Sequence, residues 1–493
     1  MIRLAVLSIL AAALASAQYL NQEISGFVLD PTNAAVPNAK VSVRHMGTGQ
    51  VRTTESDARG YYAFLDVPIG EYQIAAEAAG FKKYVQTGVV VTVSAKVTAG
   101  IALTVGDIHD SIAVAADPLQ LDASGGEIGR AITGEQAISL PLNGRSFAEL
   151  LSLMPGVATL YNSGVDLQMS ANNSSQSVNG SRRSTLSWNI DGADNKDNGG
   201  QGNVFIRVNV DAIAEFKVLT GNYSAEYGQS SGAIVNVALK SGTREFHGSP
   251  YGFFRTYYGN SGWNLGGPIY IPHRFNTARD KLFFFVSQDF LTITPYYSTT
   301  LVEPSTAQRS GDFSSVAQPV TDPLSGLPFP GNIIPSSSLD KNTSILLAMV
   351  PKSTASPYYY VYPYHLPTHD YQFLHKVDYH INNKNQLSVH YLLDHFYQQQ
   401  GQTALRLYDY RIPGISTSAK WTWTPNARMV NTLQFSFSGK DITENNFQPN
   451  TVFANNVTRQ ATGVNNPMLF GNAQEVPNIS IQGYSFPSAT TRD

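Results

Sequence analysis

The chain has 493 residues, a formal net charge of −3 and a charged fraction of 14%, against about 25% in ordinary soluble proteins. Its 26 tyrosines, 24 phenylalanines and 40 glycines suit a mainly β protein with many turns. Because cysteine is absent, disulfides, thiolate metal sites and cysteine nucleophiles are excluded, and the near-neutral charge gives no electrostatic footprint for nucleic acid.

Residues 1–17 have the pattern of a secretory signal peptide. Arg3 supplies a positive charge, residues 4–14 are apolar, and Ala15-Ser16-Ala17 is a cleavage site that leaves Gln18 as the mature N-terminus. The apolar run is too short for a membrane helix, and no later stretch approaches about 18 uninterrupted apolar residues. We therefore expect an exported chain that enters a membrane, if at all, as strands.

Residues 18–106 consist of short alternating segments separated by turn signals, which predicts a β-sandwich. The stretches GFVLDPTNAAVPNAKVSV and TTESDARGYYAFLDVPIGEYQIAAEAAGF resemble the carboxypeptidase-regulatory-like domain. This resemblance implies a transthyretin-like sandwich without catalytic residues. Residues 57–61 are interpreted as a turn that leads into a strand rather than as an acidic site.

A helix is predicted over residues 144–154, where apolar side chains recur on one helical face. These side chains are Phe147, Leu150, Leu151 and Met154. Ser146 and Glu149 have the spacing of a capping box, and Pro155-Gly156 ends the helix.

Three longer stretches follow one another along the chain: LPLNGRSFAELLSLMPGV (residues 140–157), WNIDGADNKD (188–197) and DAIAEFKVLTGNYSAEYGQSSGAIVNVALKSGTREFHG (211–248). In this order they resemble the plug domain and the plug-to-barrel junction of TonB-dependent outer-membrane transporters of the Oar-like branch. That branch carries the regulatory-like sandwich in front of its plug. The resemblance implies an α+β plug domain at residues 107–242 and a transmembrane antiparallel β-barrel at residues 243–493.

Alternating segments of about 9–11 residues, typical of transmembrane strands, occur after Phe246. Residues 371–381 place aromatic and aliphatic side chains on one side, with Lys376 and Asp378 on the side that suits a wet lumen. A turn at residues 382–385 leads into a second strand of this kind, so the two form a predicted hairpin. Residues 419–423 and 430–437 are predicted to form the next hairpin.

Residues 282–290 are also predicted to be a barrel strand, with aromatic side chains on one face and Ser287 and Asp289 on the other. Residues 296–370 are rich in proline and serine and predict a long extracellular loop. We count about seven or eight strands after Phe246, whereas transporters of this class resemble 22-stranded barrels. Because an incomplete barrel leaves unpaired backbone groups in lipid, and residues 485–493 lack the pattern of a closing strand, we expect an N-terminal portion of a longer protein.

Several enzyme and metal patterns are missing from the sequence. The glycines between Gly221 and Gly242 are followed by no G-K-[ST], so they do not form a phosphate loop. No Ser/His/Asp arrangement is found, and the clustered histidines lack the spacing of a metal pair; these are His365, His369, His375, His380, His390 and His395. We expect no enzyme, no cofactor and no metal site.

Four plug residues are candidates for contact with a ligand: Arg182, Arg183, Asp191 and Asp194. Asp191, Asp194 and Asp197 recur at intervals of three in DGADNKD, which does not match an EF-hand. The interpretation is a polar turn of the plug, and the alternative is a calcium-tolerant loop. Arg182 and Arg183 have the chemistry to pair with an anionic ligand, and the alternative for them is a solvated loop.

A candidate coupling segment lies between the sandwich and the plug and consists of Asp110, Ser111, Ile112, Ala113 and Val114. The family that the chain resembles keeps its energy-coupling segment, the TonB box, at such a place. There it implies strand addition to the sheet edge of a periplasmic partner.

The function implied by the resemblance is energy-coupled uptake of an extracellular ligand through the outer membrane. The sandwich would lie in the periplasm, and the partners would be outer-membrane lipid and a TonB-type energy-coupling protein. Siderophore, oligosaccharide and peptide are the alternative ligands. The second hypothesis is a non-transporting surface protein on the same scaffold, which serves adhesion, assembly or carbohydrate binding.

Overall fold

The computed structural model describes residues 22–106, 111–115, 127–159, 176–197, 204–223, 227, 230–340, 347, 359–403 and 406–447. The predicted signal peptide, Asp110 and residues 485–493 lie outside these ranges. The chain is mainly β, as predicted. Its described helices are all too short or too polar to cross a membrane.

The N-terminal region forms a sandwich of two sheets. Its described strands are β1 (Glu23–Leu29), β2 (Lys40–His45), β3 (Val51–Glu55), β4 (Tyr61–Leu65), β5 (Gly70–Glu77), β6 (Lys83–Val91), β7 (Lys96–Thr98), β8 (Ile101–Ala102) and β9 (Ser111–Ala115). One sheet has the order β4-β1-β7, with β8 also paired to β1, and the other has the order β3-β2-β5-β6-β9. This confirms the predicted sandwich.

Alternating burial holds the two sheets together. In β5, Tyr72, Ile74 and Ala76 point inward and are buried. They pack with a shared core that includes Ile24, Val41, Val43, Tyr62, Phe64, Val89 and Ile101. Each fully buried aliphatic side chain contributes about 1.5–3 kcal/mol. A register shift of one residue would move this whole set to the surface, so the alternation fixes the pairing.

The segment at residues 57–61 is a turn, as interpreted from the sequence. The Asp57 carboxylate accepts hydrogen bonds from the backbone amides of Arg59, at 2.9 Å, and Tyr61, at 3.0 Å. Gly60 has φ +75°, a conformation that favours glycine. The carboxylate therefore closes the turn before β4.

The second region contains a five-stranded mixed sheet with short helices against it. Its strands are β10 (Ile128–Thr133), β11 (Val157–Thr159), β12 (Gln176–Val178), β13 (Leu186–Ile190), β14 (Ala193–Asp194), β15 (Ile213–Gly221) and β16 (Ala233–Leu239). The helices are α1 (Gly134–Ser139) and 3-10 turns at Asn143–Arg145, Phe147–Leu153, Arg183–Thr185 and Val210–Ala212. The main sheet has the order β10-β15-β16-β13-β14, and β11 pairs separately with β12.

The predicted helix after Gly144 is present as the 3-10 helix Phe147–Leu153, and its apolar face is buried. The ring of Phe147 makes edge contacts with Trp188, at 5.5 Å between centroids, and with Phe216, at 6.5 Å. The predicted capping box is wrong, because Ser146 Oγ accepts a hydrogen bond from the amide of Ala148 instead. The tighter 3-10 turn brings that amide, rather than the amide of Glu149, to the cap.

The third region consists of one antiparallel sheet and a separate two-stranded β-ribbon. The strands are β17 (His247–Arg255), β18 (Tyr258–Pro268), β19 (Leu282–Ile293), β20 (Tyr296–Val302), β21 (Tyr359–His365), β22 (Thr368–Asn382), β23 (Asn385–Thr403), β24 (Arg406–Asn426), β25 (Met429–Lys440) and β26 (Thr443–Phe447). The sheet order is β17-β18-β19-β22-β23-β24-β25, with β26 paired to β24. The described part of this sheet does not close into a barrel.

The predicted hairpin is β22 and β23, joined by a two-residue turn at residues 383–384. Lys376 and His390 point inward and are buried, whereas Tyr371 and Tyr391 point outward and are exposed, as the alternation predicted. The prediction for β19 was wrong in part. Phe283 and Phe285 are fully buried on the same inner face as Ser287 and Asp289. Phe285 packs with the apolar core of the plug, and the Phe283 ring lies 5.7 Å from the ring of His380 on β22, so neither ring faces lipid.

The predicted loop at 296–370 contains more structure than expected. β20 and β21 pair over seven residues each and extend the β19–β22 hairpin. Between them lie a short helix, α2 (Thr306–Arg309), and 3-10 turns at Pro330–Asn332 and Ser336–Ser338.

The sandwich lies against the end of the barrel sheet that contains the β22–β23 and β24–β25 turns. Arg52 donates to Thr424 Oγ1 at 3.3 Å, and Arg428, in the β24–β25 turn, pairs with Asp57 at 3.1 Å. The β22–β23 and β24–β25 turns line one crevice with the sandwich residues of β3 and β4. The sandwich and the β20–β21 ribbon are therefore at opposite ends of the barrel strands.

Gly242 lies between β16 and β17, where the plug joins the barrel sheet, and provides a test of the packing at this junction. A Cβ atom here would lie 2.6 Å from the carbonyl oxygen of Gly267. We expect Gly242→Ala to lower the free energy of unfolding by about 1–3 kcal/mol, because overpacking of this kind forces the backbone apart. Gly100→Ala, where no atom lies within 4 Å, is the matched control. Urea unfolding in detergent, followed by circular dichroism, measures both, and equal free energies would contradict the packing described here.

Candidate functional site

The DGADNKD segment forms the tight turn between β13 and β14. Asp191 has φ +47° and Gly192 has φ +82°, so both central residues are left-handed, as a two-residue hairpin requires. The Asp191 carboxylate accepts a hydrogen bond from the amide of Leu239 at 3.0 Å. This bond ties the turn to the end of β16 and fixes the direction of the carboxylate.

Asp191 joins the plug to the barrel wall. Its carboxylate accepts a hydrogen bond from Lys376 Nζ at 2.8 Å, and His390 Nδ1 lies 3.7 Å away. Burial alone would raise the pKa of Asp191, but Lys376 and His390 outweigh burial and hold that pKa below its usual range. The carboxylate is therefore charged at neutral pH and anchors the turn to β22 and β23.

The other two aspartates of the segment have different roles. Asp197 pairs with Lys440 of β25 at 2.7 Å, which is a second plug-to-barrel ion pair. Asp194 accepts a hydrogen bond from the amide of Lys196 at 2.9 Å and stabilises the local turn. Two of the three aspartates thus contact the barrel. Groups of three or more residues arranged to hold a metal ion are absent from the described part of the chain.

Arg207 makes a third contact between plug and barrel, and it is the most buried one. Its guanidinium donates to Asp370 at 2.6 Å and to Asp289 at 2.8 Å, on β22 and β19. Burial alone would lower the pKa of Arg207, but Asp370 and Asp289 raise it above its ordinary value. Tyr251 and Asn260 donate to the second oxygen of Asp289, at 2.7 and 2.8 Å.

Arg145 and Asp211 form a further ion pair, within the plug. The Arg145 guanidinium also lies 4.0 Å from the ring centroid of Phe253 on β17, which is a cation–π contact with the barrel. Burial raises the pKa of Asp211, and Arg145 opposes that rise.

Arg182 and Arg183 lie just before β13, at the opposite end of that strand from Asp191. Arg182 is exposed, and its carbonyl accepts hydrogen bonds from the amide and the hydroxyl of Thr185. The four candidate ligand-facing residues are therefore not one cluster. Asp191 and Asp194 follow β13 and bond as described above, whereas the arginines precede it.

The sandwich packs on one face of the plug sheet through the turn between β6 and β7. The amide of Val93 donates to Glu215 at 2.9 Å, and the carbonyl of Ser94 accepts from Lys217 at 3.3 Å. The Val93 side chain is fully buried and packs with Ala238. Burial raises the pKa of Glu215 to about 7, although the Val93 amide and Lys217 oppose the rise.

The candidate coupling segment is a strand of the sandwich. Residues 111–114 lie in β9, which pairs in parallel with β6, so that Tyr84 is opposite Ile112 and Val85 is opposite Ala113. Ala113 and Val114 are exposed. Asp110 lies outside the described residues. The sequence did not predict that this segment belongs to the sandwich sheet, because a five-residue apolar strand contains no sign of its partner.

A cavity of about 670 Å³ separates the sandwich from the plug and the barrel. Its acidic, basic and histidine lining residues are His45, Asp66, Glu135, Asp191, Glu215, Lys240, Lys376, Asp378, His380, His390 and Lys420. The plug thus faces a chamber that contains both acidic and basic side chains at its sandwich side.

Sequence reasoning missed Arg207, because it lies in an irregular segment without a motif. A signal was nevertheless present. The alternation of β19 and β22 places Asp289 and Asp370 on the inner face, and such carboxylates need a cation from whatever fills the lumen.

Family models match three successive segments of the chain. Residues 23–104 match the carboxypeptidase regulatory-like domain, and residues 130–235 match the TonB-dependent receptor plug domain. Residues 238–493, more than half of the chain, match the outer membrane beta barrel domain.

A curated relative is the TonB-dependent transporter Oar of Myxococcus xanthus, which is 26% identical over 208 residues. That match covers 41% of this chain and 18% of the relative. Among solved structures, the outer membrane transporter YddB of Escherichia coli has a TM-score of 0.39 at 9% identity. The aligned region covers 62% of this chain and 38% of the YddB chain. The siderophore receptor PirA of Acinetobacter baumannii has a TM-score of 0.34 at 13% identity, with 64% and 44% covered. The chain thus spans less than half the length of these proteins.

Arg207→Ala tests the buried contact between plug and barrel. It leaves Asp289 and Asp370 without a buried counter-charge, so we expect the free energy of unfolding to fall by about 3–5 kcal/mol. Arg411→Ala is the control, because Arg411 is exposed, lies 3.6 Å from Asp409, and should change that free energy by less than about 1 kcal/mol. Urea unfolding followed by tryptophan fluorescence reports both variants. Similar losses in the two would show that Arg207 is not an anchor.

Glu215 should make the contact between sandwich and plug dependent on pH. Its pKa is about 7 when docked, against 4.5 in water, so the docked state binds an extra proton between these values. The free energy of docking between sandwich and plug is therefore least favourable above pH 7. It becomes more favourable as the pH falls towards 4.5, by up to about 3 kcal/mol. Hydrogen exchange of residues 92–95 measures docking. Glu215→Gln keeps the acceptor for the Val93 amide and should remove the pH dependence; an unchanged dependence would refute this assignment.

Proposed function

The chain belongs to the outer membrane beta barrel domain family, and on this premise we propose that it acts as a TonB-dependent receptor for energy-coupled ligand uptake. Its location is the outer membrane. The family is one of transporters and receptors rather than of enzymes. We place the sandwich in the periplasm, because it contacts the end of the barrel strands opposite to the long segment that contains β20 and β21, and the long loops of such barrels are extracellular.

The observation that carries this proposal is the set of ion pairs that seat the plug in the barrel wall. Lys376, Lys440 and the pair Asp289 with Asp370 each hold a plug residue of opposite charge. Buried ion pairs give little net stability, because desolvation offsets their attraction. A plug held largely by such pairs can move into water, where the same charges are solvated, at a smaller cost than a plug sealed by a hydrophobic core.

The apolar contacts between plug and barrel are consistent with this view. The plug core reaches the barrel wall through Phe285, Leu374 and Leu392, each on a different strand. Movement of the plug would open a path past the inner faces of β19, β22 and β23 towards the polar chamber beneath the plug.

We propose that ligand approaches from the end opposite to the sandwich, where the β20–β21 ribbon lies. Arg182 and Arg183, at the far end of β13 from the sandwich-side chamber, are the candidate plug residues on that route, and they would suit an anionic ligand. Asp191 and Asp194 are proposed to respond to ligand through the turn that they form. The ligand classes that fit are a siderophore, an oligosaccharide and a peptide.

The partner that supplies energy would be a TonB-type protein that binds the coupling segment, Asp110 to Val114. This segment is followed, after residues 115–127, by the first plug strand, β10. A pull on the segment would therefore act directly on the edge of the plug sheet, since β10 is the edge strand beside β15.

Uptake by cells tests the proposal. Cells with the intact gene, with the gene deleted, and with residues 110–114 removed from its product are given labelled ferric siderophore, oligosaccharide and peptide, with and without a protonophore. We expect one of these to accumulate only with the intact gene and without the protonophore. The deletion should lose at least ten-fold in uptake and keep surface binding.

The control is the double variant Ile112→Val and Val114→Ile, which retains strand propensity and should keep uptake. Undiminished uptake after removal of residues 110–114 would refute energy coupling through this segment. Binding at the surface without any uptake by the intact protein would favour the adhesion or carbohydrate-binding hypothesis instead.

A further inference from the structure

The chamber beneath the plug has the sandwich as one of its walls. The sandwich side of this cavity includes His45, Thr48 and residues 68–70, and its other sides are the plug sheet and the inner faces of β22, β23 and β24. The sandwich is at the end of the barrel strands that we assign to the periplasm. It therefore lies between the chamber and the periplasm.

The chamber has the volume of a ligand-binding pocket. Pockets for small molecules usually measure about 300–1,000 Å³, so a cavity of about 670 Å³ admits a compact ligand. A ligand that moved past the plug along the inner faces of β19, β22 and β23 would enter this chamber and meet the sandwich. The sandwich would have to move before the ligand could continue in the same direction.

The contacts of the sandwich with the barrel turns are of a kind that separates easily. Arg428 pairs with Asp57 at 3.1 Å, and the Arg428 side chain is 75% exposed. Exposed ion pairs contribute about 0–1 kcal/mol. Arg52 donates to Thr424 at 3.3 Å, and a single hydrogen bond of this kind contributes about 0.5–1.5 kcal/mol. Water can replace each of these contacts once the sandwich moves away.

The turn between β2 and β3 contacts the segment that joins the plug to the barrel. The amide of Arg244 in this segment donates to the carbonyl of Gly47 at 3.1 Å. The apolar cluster between sandwich and plug is small and consists of Val93, Ile69 and Ala238. The sandwich has a much larger apolar core of its own, so it would leave this seat as an intact body rather than by unfolding.

The connection between sandwich and plug is long enough for such a movement. β9 ends at Ala115, and β10 begins at Ile128. Residues 116–127 could span at most about 40 Å when fully extended. A small domain is about 30 Å across, so the sandwich could move aside by its own width and stay attached to the plug.

We propose that the sandwich is a second gate, on the periplasmic side of the plug. In its seat it keeps the chamber closed towards the periplasm, and when it moves aside it opens the chamber and releases the ligand. This inference rests on the proposed function, because it assigns the sandwich a step that follows movement of the plug. The plug and the sandwich then act in sequence, so the path through the protein need not be open at both ends at once.

The alternative is that the sandwich stays in its seat throughout, and that ligand leaves the chamber beside it. A covalent link between sandwich and junction separates the two possibilities, because it blocks a gate and leaves a fixed wall unaffected. Gly47 and Thr243 suit such a link, since a Cβ atom at Gly47 would lie 3.4 Å from Thr243 Cγ2. A cysteine sulfur at position 243 can take the place of that methyl group, and the chain contains no cysteine of its own.

The experiment uses the full chain with Gly47→Cys and Thr243→Cys, oxidised to form a disulfide. The matched control is Arg44→Cys with Val51→Cys, an exposed pair on β2 and β3 whose disulfide lies within the sandwich and leaves its seat free. Both proteins also carry Ser388→Cys on the chamber wall as a reporter. The probe is a polyethylene glycol maleimide that is too bulky to pass the plugged lumen, and mass spectrometry follows its reaction with the reporter after the disulfides have formed.

We expect the reporter to react at least ten-fold more slowly in the Gly47→Cys/Thr243→Cys protein than in the control. An unlinked sandwich leaves its seat for part of the time and admits the maleimide, whereas the link removes that open state. Equal rates in the two proteins would overturn the gate. Failure of the cysteines at positions 47 and 243 to join on oxidation would also overturn it, because the seat described here would then be wrong.

Uptake by cells separates this inference from the proposed function. Cells that produce either linked protein without the reporter receive the same labelled ferric siderophore, oligosaccharide and peptide. We expect the Gly47→Cys/Thr243→Cys link to lower uptake at least ten-fold with surface binding unchanged, and the control link to leave both unchanged. Undiminished uptake with the sandwich linked in its seat would overturn the gate while energy-coupled uptake stands. If the intact protein takes up none of the three probes, the proposed function fails, whereas slower labelling in the linked protein would still show that the sandwich closes the chamber.

Discussion

The position of the plug depends on one buried cation between two carboxylates of the barrel wall. Arg207 reaches Asp289 on one strand and Asp370 on the next, and none of the three side chains is more than 4% exposed. Removal of any partner leaves a charge unpaired in a dry interface, which costs several kcal/mol. The contacts of Arg207 with these two strands therefore fix the resting position of the plug. Asp191 with Lys376 and Asp197 with Lys440 add two further points, and three separate points define the orientation of a rigid body.

One face of the plug sheet is apolar and the other carries charged side chains. The barrel wall and the sandwich therefore contact the sheet in different ways. Phe216 and Val235 lie in the apolar core, which continues into the barrel wall. Glu215 and Lys217 point to the other face, where the sandwich offers backbone groups of Val93 and Ser94. The sandwich contact is thus polar apart from Val93 and Ile69, so it can separate without exposing a large apolar surface.

Sequence reasoning recovered what depends on periodicity and on long motifs. The sandwich, the short helix at Phe147, and the hairpin of β22 and β23 with inward Lys376 all follow from local alternation. It did not recover the ion-pair partners that lie far away in the sequence. Asp191 and Asp197 were interpreted as parts of a polar turn, because nothing local specifies that Lys376 and Lys440 approach them from strands about 200 residues later.

The inner face of β19 shows the same limit. Alternation was predicted to separate the aromatic rings from Ser287 and Asp289, yet Phe283 and Phe285 share their inner face, where Phe285 packs with the plug core. The direction of these rings follows from neighbours that the strand's own pattern does not contain. The sequence of the coupling segment likewise gave no indication that it pairs with β6. Contacts made by irregular segments and by edge strands were beyond prediction, since they depend on which surfaces the complete fold brings together.

The contact of the sandwich with the barrel turns sets an order of assembly. Asp57 meets Arg428, and Arg52 meets Thr424, across more than 370 positions of sequence. Synthesis proceeds from the N-terminus, so the sandwich and plug exist before β24 and β25 are made. The sandwich can fold early from its own nearby strands, but it reaches its final seat only when the last of these turns has been inserted. Its docking therefore comes late in maturation, after β24 and β25 have joined the sheet.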